Sequence, residues 1–292
     1  MDSSALNAFV AVAELASFSA AADRLFITQP AVSKRIAILE KQLGNRLFDR
    51  IGRRIELTPA GKVLLPNARQ ILEKMKLARM QIDNLSTSVA GTLHLGISHH
   101  ISLHRAPKLL KTYCRQHTSV SLEIDFLGSE QAFHAVERGS LELALITLPD
   151  SPPPGLSIDT IWHDPLAIVC ATDHPLAMSK SIDIPKLVSY PAILPDRSTF
   201  TRSLVEIEMN KRSQNLDVSM DTNNLETIKM MVSIGFGWSA LPETMVDSSL
   251  HRLHVAKLQL SRNLGTVVHT QRTLSNAGSA LIDMLKAESH AM

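Results

Sequence analysis

Cysteine is nearly absent. Two residues, Cys114 and Cys170, in a chain of 292 exclude a disulfide framework or a four-ligand zinc site as the basis of the fold. Cys114 falls in a helical pattern and Cys170 in the apolar run LAIVCA, so both read as buried, inert thiols. Long hydrophobic runs are missing too; none approaches the ~18 residues that a membrane span requires, and no membrane contact is expected. The N-terminal stretch MDSSALNAFVAVAEL has no basic leader and contains Glu14, which argues against a secretion signal and for a cytoplasmic location. Repeats and low-complexity tracts do not occur. No Gly-rich phosphate loop, nucleophile elbow or Ser/His/Asp set can be assembled, so an enzyme is not expected. His94, His99, His100, His104, His251 and His254 lack acidic or thiol partners at ligand spacing, so neither a metal nor another cofactor is expected.

What is present is a chain of two-domain length with ample core material, 45% hydrophobic and 20% charged,. Its formal charge of +2 hides an asymmetry. Residues 1–90 hold thirteen Lys/Arg against eight Asp/Glu, a balance of +5, and the remainder seventeen against twenty, a balance of −3. From Lys34 to Arg54 the count is seven basic to two acidic. One end of the molecule is thus suited to phosphates.

From Ser4 to Leu43 the pattern predicts three short helices. Leu6, Phe9, Val10, Val12 and Ala13 form the apolar face of the first. Ser19 can cap the second, and Thr28 a third that runs to Gly44. In the third, Val32, Ile36, Leu39 and Leu43 form one buried stripe, and the opposite face presents Gln29, Ser33, Lys34 and Ala37. Extended pieces around Leu47–Arg50 and Arg54–Thr58 flank Gly52 and predict a basic hairpin with Arg50, Arg53 and Arg54 near its tip. A long helix follows from Pro59 to about Leu85. Leu64, Ala68, Ile71, Met75, Ala78, Ile82 and Leu85 keep a strict heptad spacing along it, the seam of a coiled coil that needs a second chain. Pro66 should kink this helix or weaken its first turns. Ser86–Gly91 reads as a hinge. Beyond it strands (92–98, 121–127, 141–147, 165–171, 191–195, 236–242 and 265–271) alternate with helices (103–116, 129–138, 200–212, 224–234 and 275–287), a grammar that predicts parallel βαβ units.

Short helix, tight turn and a second helix with a polar N-terminal half make a helix-turn-helix, whose second helix enters the major groove. Gln29 would pair with adenine, Ser33 with a base or phosphate, and Lys34 with guanine or phosphate; Arg35 would meet the backbone, and Arg53 and Arg54 would serve as a wing. The runs Ser17–Leu25, Thr28–Ser33, Leu39–Gly44, Leu47–Arg50 and Leu57–Gly61 occur in unbroken order and resemble the N-terminal signature of LysR-type transcriptional regulators. His174-Pro175-Leu176 and the stretch from Val232 to Pro242 continue the likeness. The resemblance implies an all-α winged helix-turn-helix, a long linker helix that dimerises, and a C-terminal α/β two-lobed domain like the periplasmic solute-binding proteins. It places the DNA-binding domain at 1–58, the linker at 59–88 and the effector domain at 89–292. Lobe I would comprise about 89–161 and 266–292, and lobe II about 162–265. The implied DNA contacts are Thr28, Gln29, Pro30, Ser33, Lys34, Arg35, Arg50, Arg53 and Arg54. Its implied partners are double-stranded DNA at imperfect palindromes, a small-molecule effector, a second copy through the linker with a tetramer beyond that, and RNA polymerase.

In open α/β sheets ligands bind beyond the carboxyl ends of strands. Ser98, His99, His100, Ser129 and Thr147 follow or end strands there, and Arg197, Ser198, Thr199 and Asn223 do so in the second lobe. Together they predict a cleft for a small polar or anionic metabolite, although Ser and Thr before helices also serve as caps. Residues 92–292 alone would also suit a solute-binding protein without specific DNA readout. That alternative predicts a secretion signal and no basic helix-turn-helix.

Overall fold

A computed structural model describes residues 2–51, 54–83 and 88–291, and the chain divides into two compact units, Met1–Leu85 and Ser86–Met292. The first begins with helices α1 (Ser3–Leu15), α2 (Phe18–Arg24) and α3 (Gln29–Leu43). Leu6, Phe9 and Val12 of α1 are buried against Val32, Ile36 and Leu39 of α3 in one core, as their spacing predicts. The cap of α2 differs from expectation. Ser17, not Ser19, accepts the Ala20 amide at 3.2 Å, because Phe18 already belongs to the core and starts the helix two residues earlier. α3 runs from Thr28 to a left-handed Gly44, though the Thr28 side chain makes no cap hydrogen bond.

The turn between α2 and α3 is a Schellman closure. The Phe26 amide donates to Asp23 O at 3.2 Å and the Ile27 amide to Ala22 O at 3.0 Å, which satisfies carbonyls that the end of α2 leaves open. That geometry needs a left-handed residue, and Phe26 supplies it at φ 53°. A β-carbon in this region costs ~1–2 kcal/mol.

Strands β1 (Phe48–Ile51) and β2 (Arg54–Leu57) pair antiparallel, Phe48 opposite Leu57. Phe48 anchors the hairpin against Phe9 and Phe18, with centroids 5.3 and 5.9 Å apart. Helix α4 (Pro59–Asp83) is tied to the hairpin root by Thr58, whose hydroxyl donates to Arg46 O at 2.7 Å and accepts the Gly61 amide at 3.0 Å. Gly61 lies so close to this root that a β-carbon there would sit 2.3 Å from Leu47 O, inside any permitted contact. Glu14 joins Arg24 and Arg69 at 2.7 and 2.9 Å, linking α1, α2 and α4.

The heptad seam of α4 is divided in its use. Ala68 is fully buried and Leu64 and Leu72 pack on the same core, so the first turns belong to the domain itself. Ile71, Met75 and Ile82 stay 36%, 52% and 67% exposed; Leu85 lies outside the described residues. The helix continues through Pro66 without interruption.

In the second unit come β3 (Gly91–Ser98), α5 (His99–His104), α6 (Ala106–Gln116), β4 (Val120–Leu127), α7 (Ser129–Arg138), β5 (Leu143–Thr147), β6 (Leu156–Ala171), α8 (Ile184–Val188), β7 (Ala192–Leu194), α9 (Phe200–Asn210), β8 (Val218–Asp221), α10 (Leu225–Ser233), β9 (Ser239–Pro242), β10 (Leu250–Arg252), β11 (Leu260–His269) and α11 (Asn276–Ala291). The main sheet is mixed rather than parallel as expected. β3 pairs parallel with β4 and β5, but β11 runs antiparallel to β5 and β6, and β9 and β10 antiparallel to β6. Pro165 made the strand appear to begin there, whereas β6 starts at Leu156 and carries Pro165 in its interior, opposite Ser261. The helix expected over 103–116 likewise starts at His99 and breaks at Arg105, where Pro107 forces a new first turn,.

One set of apolar clusters gathers β3, β5, α6, α7 and α11; another gathers α8, β7, α9, α10 and β9. These are two lobes. β6 and β11 serve both: Ile161 and Trp162 pack in the first lobe and Leu166 and Ile168 in the second, while Leu264 and Leu260 divide in the same way. At the crossing Asp164 faces Arg262 in register. Among the described residues no helix is long and apolar enough to cross a membrane. Cys170 is buried, and burial pushes its thiol up to about 11; Cys114 is exposed, contrary to expectation, because α6 buries the face of Leu109 and Tyr113 instead.

Candidate nucleic-acid interface and ligand pocket

The stripe of Val32, Ile36 and Leu39 turns the other face of α3 outward. Thr28, Gln29, Pro30 and Lys34 are exposed, while Ser33 and Arg35 are half-buried. Gln29 Nε2 donates to Ser33 Oγ at 2.9 Å, so the two polar groups expected to meet bases are held together as a pair. Arg50 and Arg54 lie on β1 and β2. Gly52 and Arg53 lie outside the described residues, and so does the expected role of Arg53 as the wing's tip.

In the second unit a cavity of about 150 Å³ opens beyond the ends of β3, β4 and β5. Seven of the expected residues line it: Ser98, His99, His100, Ser129, Thr147, Thr199 and Asn223. Arg197 and Ser198 do not; both are exposed on the loop before α9, where Ser198 Oγ donates to Asp196 at 2.6 Å. Several of the seven are also structural. Thr199 caps α9 by accepting the Arg202 amide at 3.2 Å, Ser129 accepts the Thr147 amide at 3.1 Å, and Asn223 accepts the Asp196 amide at 2.9 Å.

A charged cluster adjoining this pocket, of which His100 and Arg262 line the cavity, was not legible as a site in the sequence. Asp164 is fully buried; Arg262 Nε donates to its Oδ2 at 2.9 Å, Arg105 Nη2 to Oδ1 at 3.2 Å, and His100 Nε2 stands 3.7 Å away. Burial raises the Asp164 pKa, but His100 and Arg262 outweigh it and hold the carboxyl at about 2. Burial keeps His100 below its ordinary 6.5, only partly offset by Asp164. Arg262 Nη1 donates to Thr201 Oγ1 at 2.8 Å. Its Nη2 has no hydrogen-bond partner among the described residues, and neither do Ser98 Oγ and the two His100 ring nitrogens. Two carboxylates line the rim, both engaged: Glu130 accepts the Phe200 amide at 2.8 Å and Glu226 lies 3.3 Å from His104. The available signal was an ionised residue inside an apolar run, Asp164 ahead of PLAIVCA, because a buried charge requires a partner elsewhere in the chain.

A basic helix-turn-helix in one unit and a two-lobed pocket-bearing α/β domain in the other define a ligand-responsive DNA-binding regulator. The chain belongs to the LysR family of bacterial transcriptional regulators: residues 3–62 match the bacterial regulatory helix-turn-helix protein, lysR family, and residues 86–289 the LysR substrate binding domain. It is 58% identical over 107 residues to an HTH-type transcriptional regulator of Azotobacter vinelandii, a match covering 37% of this chain and 74% of the relative. It is 31% identical over 245 residues to a protein of Synechocystis described as "Probable nitrogen assimilation transcriptional activator", covering 82% and 78% of the two. Among solved structures, full-length CbnR complexed with its target DNA shares the fold at TM-score 0.70 and 17% identity, covering 99% of this chain and 100% of that one.

Proposed function

We propose that this regulator reads imperfect palindromes as a dimer joined through α4, and that its effector is a small polar metabolite bearing a carboxylate or comparable anion. Residues 1–58 supply the DNA-reading part, 59–88 the dimerising helix and 89–292 the effector domain. The observation that carries the choice of effector is Arg262 Nη2, buried at the pocket wall and unpaired, beside Ser98 Oγ and His100. A buried donor of this kind is costly to leave unmade and strong once it meets an anion. Ser129, Thr147 and Asn223 then face the polar remainder of the effector. Closure of the lobes on the ligand would shift the geometry of the recognition helices in the oligomer.

Isothermal titration of the full chain against carboxylates, phosphate and sulfate tests the reading. A carboxylate should bind, and Arg262→Gln should weaken it by about 1.5–3 kcal/mol, roughly ten- to a hundredfold. Binding of apolar compounds alone would overturn it. On the DNA side, Ser33→Ala or Gln29→Ala should each cost ~1–3 kcal/mol at the cognate site. Because the two side chains are hydrogen-bonded to each other, the double variant should lose less than the sum of the singles. Gel-shift titration in competition with random DNA reads this; strict additivity would sink the coupled-pair view.

A further inference from the structure

Phe26 is out of place by every local rule. It is 95% exposed, the most exposed of the large apolar side chains among the described residues, and its backbone is left-handed at φ 53°. Glycine or asparagine would satisfy the Schellman closure there without strain, and a polar side chain would suit the solvent. Its neighbour Ile27, by contrast, packs on the domain core, so the turn does not require an outward aromatic to hold its shape. Three residues further on α3 presents exposed Gln29 and Pro30.

We infer that Phe26 is an apolar contact to DNA, seated on the C5-methyl of a thymine at the edge of the half-site that α3 reads. The N-terminal turn of a recognition helix meets base edges in the major groove, and the residue that leads into that turn stands at the same mouth. The thymine methyl is the apolar mark of that groove, and phenylalanine is among the side chains that read it. The left-handed turn fixes the backbone at Phe26 before DNA arrives and leaves the ring in solvent, free to be covered. Contact with a methyl carries no charge, which separates it from the lysine and arginine contacts around it. The inference rests on reading α3 as the major-groove helix.

The test uses the full chain and a selected palindromic site in which each thymine is replaced in turn by uracil, which removes the methyl alone. In the wild type one uracil position per half-site should raise Kd about threefold to tenfold. Phe26→Asn, which keeps the left-handed turn, should raise Kd on the thymine site by about tenfold, lose its sensitivity to that uracil, and leave the salt slope unchanged. Its melting temperature should equal or exceed that of the wild type, and Phe26→Gly should behave alike. Unchanged Kd in both variants, or uracil and Phe26 effects that simply add, overturns the inference. So does a loss of oligomer in Phe26→Asn by light scattering, which would assign the ring to a second copy. A wild type without preference for the selected site over random DNA would instead remove the underlying reading of α3.

Discussion

Asp164→Ala is expected to destabilise the effector domain by ~3–5 kcal/mol. The carboxylate is fully buried and takes hydrogen bonds from both Arg262 and Arg105. Its removal strands a guanidinium in the pocket wall with one remaining bond to Thr201. Thermal unfolding followed by calorimetry should show the transition of residues 86–292 shifted down by roughly 6–20 °C, whereas the helix-turn-helix transition stays in place. Asp164→Asn, which keeps an acceptor, should lose less. The same residue sets an acid limit. Its carboxyl is held at about 2, below the ordinary 3.8, so its stabilisation is complete above about pH 4 and disappears as pH falls through 2. His100 acts in the same direction at higher pH. Its folded-state value lies below 6.5, so the unfolded chain takes up that proton first and stability declines as pH drops below 6.5. Asp164→Asn should flatten the lower part of this profile; an unaltered profile, or a shift of less than 2 °C in Asp164→Ala, would mean that the ion pair is not the keystone of the strand crossing.

The second large effect concerns α4. Ile71→Glu combined with Met75→Glu is expected to split the proposed dimer and weaken binding to a full palindrome at least a hundredfold. In a symmetric seam the two substitutions remove four apolar side chains, each worth ~1.5–3 kcal/mol when buried. Both positions are substantially exposed within their own unit, so folding should survive, with a melting temperature close to that of the wild type. Sedimentation should show the smaller species, and affinity for an isolated half-site should change little. A double variant that stays dimeric would show that another surface holds the copies together.

The helix-turn-helix was the most legible part of the chain because its signals are local. The apolar stripe of α3, its αL glycine stop and the pairing of two short strands, Phe48–Ile51 with Arg54–Leu57, all lie within a few residues of the positions they determine. Ser17 displaced Ser19 as cap for a tertiary reason, the burial of Phe18. The heptad pattern of α4 was read as a seam for a second chain, but its first turns pack on their own domain through Leu64 and Ala68: spacing alone does not tell which turns face inward. In the sensing half, pocket residues at strand ends were found by topology, since Ser98, Ser129 and Thr147 lie where parallel strands deliver them. Arg197 and Ser198 lie outside the pocket lining, and a loop before a helix looks the same in sequence whether it faces a cavity or solvent. Asp164 and Arg262 escaped notice because they are ninety-eight residues apart and join only through the antiparallel register of β6 and β11, a pairing that the apparent βαβ alternation concealed.

Thr58 and Gly61 fasten the start of α4 to the hairpin root without slack. Mechanically this makes the 25-residue helix a rigid lever about 37 Å long,. A tilt of ~5° at its far end moves that end by about 3 Å, close to the ~3.4 Å rise of one base step. A substitution that loosened the glycine clamp would therefore disturb the hairpin root and the start of the lever together, while Gln29 and Ser33 of α3, which bond to each other and not to the clamp, keep their places.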